Sequence, residues 1–213
     1  MKVEIWSDVV CPWCYIGKRR FERALESFEH RDEVEVRWRS FELDPGAPQE
    51  STGDPVDRLA GKYGMSREAA LAAHARVTGL AEQEGLTYHL DRARHGNTRD
   101  AHRLLHLAAE RGVQAALKER LMAAYFTDGQ AIGDPDTLAA IASASGLDEA
   151  EARGVLNGDA YADAVTADER EAAELGISGV PFFVIDRRYG VSGAQPAELI
   201  RAGLERAWAE ASP

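Results

Sequence analysis

Cysteine is nearly missing: of 213 residues, only Cys11 and Cys14 carry a thiol. A scaffold stapled by several disulfides is excluded, and one bridge over so small a loop would restrict the unfolded chain little. Histidine is also scarce, with six copies, and neither a second CxxC nor an HExxH accompanies the pair. His102 and His106 stand four apart and share a helix face, but a structural zinc site needs about four ligands. No metal site is expected. Positive charge is the minority sign, 25 Lys and Arg against 36 Asp and Glu, for a net charge of −11. Bulk electrostatic attraction to nucleic acid or to an anionic membrane is thereby excluded. The one dense basic cluster, Lys18-Arg19-Arg20, is expected to be a solvated helix face. No run approaches the ~18 apolar residues that cross a bilayer, and Met1 to Asp8 holds no apolar core of a secretory signal. The expectation is a cytoplasmic chain with neither membrane nor nucleic acid as partner. In a reducing compartment, a CxxC is more often catalytic or metal-binding than a staple.

What is present is a globular composition on a chain long enough to bury a real core. Val3 to Asp8 reads as a strand, with Val3 and Ile5 on one face. Residues 12–29 read as a helix whose first-turn proline, Pro12, has no N–H to lose. Gly17 inside that helix costs stability relative to alanine, and close packing is the usual reason. Val34, Val36 and Trp38 alternate with Glu33, Glu35 and Arg37 as a strand that bulges or ends near Arg39-Ser40. Asp44 to Asp57, with three prolines and two glycines, reads as a loop. Helical patterns then run from Ser66 to Gly176, with caps expected at Ser66, Thr98, Asp134 and Asp148, and a short extended piece at Leu86-Thr87-Tyr88. Val180 to Ile185 is the next strand, Gly190 to Gly193 returns antiparallel, and a last helix buries Ile200, Gly203, Leu204, Ala207 and Trp208. The implied division is a discontinuous domain of residues 1–60 and 177–213 around a helical insertion at 61–176.

Cys11-Pro12-Trp13-Cys14 sits where the first strand turns into the first helix. The spacing puts one thiol at the helix start, where unpaired amides and the dipole favour a thiolate, and the second one turn later. A nucleophile with a resolving thiol behind it is the minimal equipment for disulfide exchange.

The order β-α-β, helices, β-β-α, with CxxC after the first strand and Gly179-Val180-Pro181 just before the third, resembles the thioredoxin fold, an α/β architecture. The helical insertion narrows the resemblance to the DsbA-like family. Three runs are similar to its FrnE-type branch: Ser7 to Cys14, Asn97 to Leu104, and Gly176 to Phe183. Relatives of that branch include 2-hydroxychromene-2-carboxylate isomerases and kappa-class glutathione transferases.

The resemblance implies roles at matching positions. Cys11 is the exposed attacking thiol and Cys14 the buried resolving thiol. Pro181 follows a cis peptide bond beside the dithiol and leaves the Val180 backbone free to pair with an extended substrate. Pro12 belongs to the motif, and Trp13 offers a substrate-facing surface. No bound cofactor is implied, because the dithiol itself carries two electrons, with glutathione as a candidate co-substrate. The implied partner is a protein or small molecule bearing a thiol or a disulfide. Pro12-Trp13 departs from the Pro-His pair of the strongly oxidising enzymes. Indole cannot carry imidazolium charge, so a less oxidising couple is expected. Ile5 stands where many thioredoxin-like proteins hold a buried acid; Asp8 is the nearest acid, either a proton relay or a residue that simply caps the active-site helix or faces water. Asn97, Arg99 and His102 read either as cleft-lining residues or, with more weight, as ordinary capping and helix polarity.

The leading expectation is a thiol–disulfide oxidoreductase, or isomerase. A glutathione-dependent isomerase or transferase on an aromatic or polyketide-like substrate is one rival. The branch that does this chemistry has a serine at the Cys11 position and lacks the second thiol, so the intact CxxC argues against it. A redox-sensing module that binds an extended peptide is the other.

Overall fold

The computed structural model describes residues 1–211. In chain order it opens with β1 (Lys2–Ser7), α1 (Pro12–Glu26) and β2 (Glu35–Ser40). Helices follow: α2 (Pro55–Tyr63), α3 (Arg67–Gln83), α4 (Arg99–Glu110), α5 (Gln114–Phe126), α6 (Pro135–Ala144), α7 (Glu149–Asn157) and α8 (Ala162–Glu174). The chain closes with β3 (Phe182–Ile185), β4 (Tyr189–Ser192) and α9 (Ala197–Ala211). Two compact units result, one from residues 1–43 together with the chain from Thr166 onward, the other from Asp44–Val165.

The first unit is built on a four-stranded sheet of order β2-β1-β3-β4. β1 runs parallel to β2, with Ile5 opposite Trp38, and antiparallel to β3, with Ile5 opposite Phe183. The period of two in β1 sends Val3 and Ile5 to one face and Glu4 and Trp6 to the other. On the first face lie Phe21, Ala24 and Phe28 from α1 and its exit, and Ile200, Leu204 and Ala207 from α9, with Trp208 partly buried beside them. The Phe21 and Phe183 rings stack at 5.6 Å. The stripe expected on the last helix is therefore the one that buries.

The opposite face is partly ionic. Trp6 and Val184 meet Ala172 and Ile177 there. Beside them Glu4, only 1% exposed, accepts from Nε of Arg39 at 2.8 Å and from Nη2 of Arg187 at 3.0 Å. Arg39 also reaches Asp168 of α8 at 2.7 Å. The other oxygen of Asp168 accepts from the Ser40 amide at 2.8 Å, and its backbone carbonyl accepts from the Trp6 indole at 2.9 Å. Burial alone pushes the Glu4 carboxyl up, but hydrogen bonds and charge from Arg39 and Arg187 outweigh it and hold the group below the usual carboxylate range. The strand reading at Arg39-Ser40 resolves as a strand end, with β1 and β2 in register through Ser7 and Ser40.

The second unit is helical. Fully buried Leu104, Leu117, Leu121, Met122, Ile132 and Leu138 supply apolar bulk on α4, α5, α6 and the turn between α5 and α6. Ser66, Asp134 and Asp148 cap their helices as expected, accepting from Ala69, Thr137 and Glu151 amides respectively. Three local expectations need correction. The loop from Asp44 to Asp57 ends early, because Asp54 accepts from the Val56 amide and Pro55 starts α2. Thr98 makes no side-chain cap; the neighbouring Asn97 side chain accepts from the Arg99 amide at 2.9 Å instead. Leu86-Thr87-Tyr88 pairs with no strand; Leu86 and Tyr88 are buried, and the Tyr88 ring stacks on Phe126 at 4.5 Å. In the loop before α2, the Gln49 carbonyl lies so close to Gly96 and Gly133 that a Cβ would sit 2.2 and 1.9 Å from its oxygen.

Candidate active site

Cys11 is the N-cap of α1, in extended backbone at φ −86° and ψ 115°, and its own side chain makes no capping hydrogen bond to the helix. Its carbonyl accepts from the amides of Cys14 at 3.0 Å and Tyr15 at 3.4 Å. Pro12 at the first turn leaves one fewer amide to satisfy. The positive end of the helix thus opens on the first thiol. Both cysteines are free thiols, and Cys14 is fully buried.

Cys11 is not the exposed thiol that was expected: it is 3% exposed. Its Sγ lies 3.6 Å from the Val180 carbonyl oxygen, as a thiol donating to it. The Val180-Pro181 peptide bond is cis. The chain therefore brings Cys11 and Val180 together from 169 residues apart. Among the described residues, nothing accepts a hydrogen bond from the Val180 amide, so that backbone donor stands beside the dithiol uncommitted. Trp13 is 40% exposed. Its indole makes no hydrogen bond or ring contact among the described residues, which leaves an open apolar surface between the two thiols.

Asp8 is fully buried. One carboxylate oxygen accepts from the Val9 amide at 2.7 Å and the other from the Leu43 amide at 2.8 Å. It is shielded from water and ties the approach to the dithiol to the segment leaving β2. The basic cluster also departs from expectation. Lys18 is buried and paired with Glu22, one turn on. Arg19 binds Glu22 at 2.7 Å and lies over the Tyr15 ring. Arg20 donates to the Ala194 carbonyl at 2.6 Å. The face is only partly solvated, because Lys18 is buried, Glu22 pairs with both Lys18 and Arg19, and the loop after β4 holds Arg20.

Gly17 is the residue whose importance the sequence indicated only as an unexplained cost. A Cβ there would stand 2.8 Å from Cγ of Pro181. The helix glycine is what lets Pro181 lie against α1. In the second unit, Asn97 Nδ2 donates to the Pro45 carbonyl and Arg99 to the Ala162 carbonyl. His102 and His106 are buried on α4, the latter stacked on Tyr161 at 6.3 Å. Among the described residues, no group of three or more His, Cys, Asp or Glu side chains is placed to hold a metal ion. No helix there is long and apolar enough to cross a membrane.

Comparison with known proteins agrees with this geometry. The model of the DSBA-like thioredoxin domain family matches residues 2–205. The uncharacterized protein YwbO of Bacillus subtilis (strain 168) is 30% identical over 185 residues, 86% of each chain. The probable DsbA oxidoreductase SCO1869 from Streptomyces coelicolor is 52% identical, with a TM-score of 0.95 over 100% of this chain and 92% of that one. The cytosolic disulfide reductase DsbM from Pseudomonas aeruginosa, solved with glutathione, shares the fold at 19% identity, with a TM-score of 0.68 over 98% of this chain and 100% of that one. With a four-stranded thioredoxin-type sheet, a helical insertion and a dithiol at the first helix, the chain belongs to the DsbA-like thioredoxin-domain family.

Proposed function

We propose that this protein is a thiol–disulfide oxidoreductase worked by Cys11 and Cys14. The Cys11 thiolate attacks one sulfur of a substrate disulfide; that S–S bond breaks, and the departing sulfur takes up a proton. Cys14, as thiolate, then attacks Sγ of Cys11 in the mixed disulfide and releases the second substrate thiol. The enzyme is left with a Cys11–Cys14 disulfide and the substrate has gained two electrons. Run backwards, the oxidised enzyme takes two electrons from a substrate dithiol. Two glutathione molecules, leaving as their disulfide, balance the return of the enzyme to the dithiol.

The observation that carries this reading is the Cys11 thiol at the start of α1, 3.6 Å from the Val180 carbonyl, with Cys14 in the first turn behind it. The uncommitted Val180 amide and the Val180 carbonyl offer an extended peptide a backbone donor and acceptor, and Trp13 offers it an apolar surface. The proposed partners are therefore disulfide-bearing or thiol-bearing chains and small thiols such as glutathione. The cytoplasm is the proposed compartment, since the two cysteines are the whole thiol complement and no separate structural bridge exists to need an oxidising one.

Insulin-disulfide reduction tests the assignment. Cys11→Ser is expected to abolish it, and Cys14→Ser to accumulate mixed disulfides that dithiothreitol releases. Activity surviving in Cys11→Ser would remove the assignment. Partner binding that depends on redox state without any turnover would instead mark a sensor.

A further inference from the structure

The Val180-Pro181 segment is fastened to α1 on either side of Gly17. Ahead of it, Cys11 Sγ donates to the Val180 carbonyl at 3.6 Å. Behind it, Arg20 donates to the Ala194 carbonyl at 2.6 Å. The two loop pieces are joined to each other, because the Gly193 amide donates to the Pro181 carbonyl at 2.8 Å. Between the fastenings the helix backbone meets the Pro181 ring directly. A Cβ on residue 17 would stand 2.8 Å from Cγ and 3.4 Å from Cβ of Pro181, and 3.6 Å from the Ala194 Cα. Neither neighbour can swing aside as a flexible side chain does: one is a closed ring and the other is backbone.

From this we infer that Gly17 is a positioning residue for the dithiol, setting the distance between α1 and the Val180-Pro181 segment. That distance decides how closely the Val180 carbonyl covers the Cys11 thiol. The inference rests on the proposed oxidoreductase reading, and it concerns a residue that touches neither sulfur nor substrate. A methyl group at position 17 must lift the segment, uncover Cys11 and displace the backbone groups offered to a substrate.

The test compares Gly17→Ala with Gly203→Ala. Gly203 is a matched control in α9, where a Cβ would stand 3.2 Å from Cδ1 of Ile185, a core contact with no site residue in it. Two quantities are read at 25 °C in full-length protein whose fold is checked by circular dichroism: the iodoacetamide rate at Cys11, located by mass spectrometry, and kcat/KM for insulin reduction. Gly17→Ala is expected to raise the alkylation rate and to lower kcat/KM by about tenfold or more, the scale on which small misplacements act. Gly203→Ala should lower the melting temperature and leave both readouts unchanged. A folded Gly17→Ala with wild-type alkylation and kcat/KM overturns the inference, as does a Gly203→Ala that moves them equally. Should Gly17→Ala not fold, Arg20→Ala decides, since it frees the Ala194 carbonyl without adding an atom. Faster alkylation of Cys11 in Arg20→Ala supports the inference, and an unchanged rate overturns it. Wild-type protein that fails to reduce insulin sinks the oxidoreductase reading alone, because the alkylation comparison needs no turnover.

Discussion

Arg39 reaches Glu4 diagonally across neighbouring strands, with its Nε 2.8 Å from a carboxylate that is 1% exposed. Glu4 stands opposite Arg37 in the register, so the partner is the residue two further along β2. Removing one partner from a buried pair is far more costly than the pair itself is stabilising, because the remaining charge is left unsolvated. Arg39→Met is therefore expected to lose about 3–5 kcal/mol of unfolding free energy. Urea titration followed by tryptophan fluorescence checks this. A midpoint equal to wild type would mean that Arg187 alone satisfies the carboxylate.

The same network predicts an acid limit. The Glu4 carboxyl is held below its ordinary value of 4.5 by Arg39 and Arg187, although burial works against them. The unfolded chain thus binds a proton at Glu4 at a higher pH than the folded one. This contribution is complete above about pH 4.5 and is lost as pH falls through the lowered folded value. Urea midpoints measured from pH 6 to pH 3 should fall steeply below pH 4.5, and the fall should be shallower in Glu4→Gln, which has no proton to gain.

Asp8 gives a case where a structural and a catalytic role separate. In Asp8→Asn one of the two amides, Val9 or Leu43, meets a donor instead of an acceptor. A buried donor left unsatisfied costs about 1–3 kcal/mol. Stability should fall by that amount while insulin reduction, assayed well below the melting transition, keeps its rate and its pH profile. A shifted pH profile with unchanged stability would make Asp8 a proton relay instead.

Two glycines in the helical unit should respond in opposite directions to alanine. At Gly133 the new Cβ would lie 1.9 Å from the Gln49 carbonyl oxygen. Overpacking against backbone costs about 1–3 kcal/mol, occasionally more, so Gly133→Ala is expected to destabilise. Gly154, inside α7, has nothing within 4 Å of its Cβ position, and alanine there should stabilise by roughly 0.5–1 kcal/mol. Differential scanning calorimetry of the two variants checks both signs at once.

Trp13 sets the last prediction. An imidazolium at that position favours the Cys11 thiolate and hence the reduced form, whereas the indole cannot. Trp13→His is expected to raise the reduction potential by about 30 mV or more, the equivalent of 1.4 kcal/mol for a two-electron couple. Equilibration against glutathione buffers measures it, and an unchanged potential would show that residue 13 does not tune the couple.

The local part of the site was legible because its signals are local. Two cysteines at CxxC, a proline at the helix start and a glycine-rich approach to Pro181 can each be read within a few residues. Periodicity marked β1, α1 and α9, where one face buries and the other does not, and the fold came from the resemblance that the order of the elements and the CxxC and Gly-Val-Pro runs carry. Pairings between distant residues left no such trace. Nothing in the β2 sequence distinguishes Arg39, the pivot of an ion network, from Arg37 beside it; only the register and the approach of α8 do. The covering of Cys11 by Val180 and the seat of Pro181 on Gly17 depend on a backbone-to-backbone distance, which has no residue pattern. Helix α2 is hidden for a simpler reason: its Asp54-Pro55 start, of the same kind as Asp134-Pro135, lies in a segment dense in proline and glycine.

The central strand of the sheet finds one neighbour soon after it and the other only near the end of the chain. A ribosome that has finished β2 must still translate everything as far as Ile185 before β1 acquires its second edge. At ~5–20 residues per second that interval is on the order of ten seconds or more. Throughout it the nascent chain carries Cys11 and Cys14 without the carbonyl that later shields the first of them. A chain stalled before Val180 thus carries both thiols without the backbone that later seats the first of them, so oxidants meet the pair before the sheet that positions it is complete.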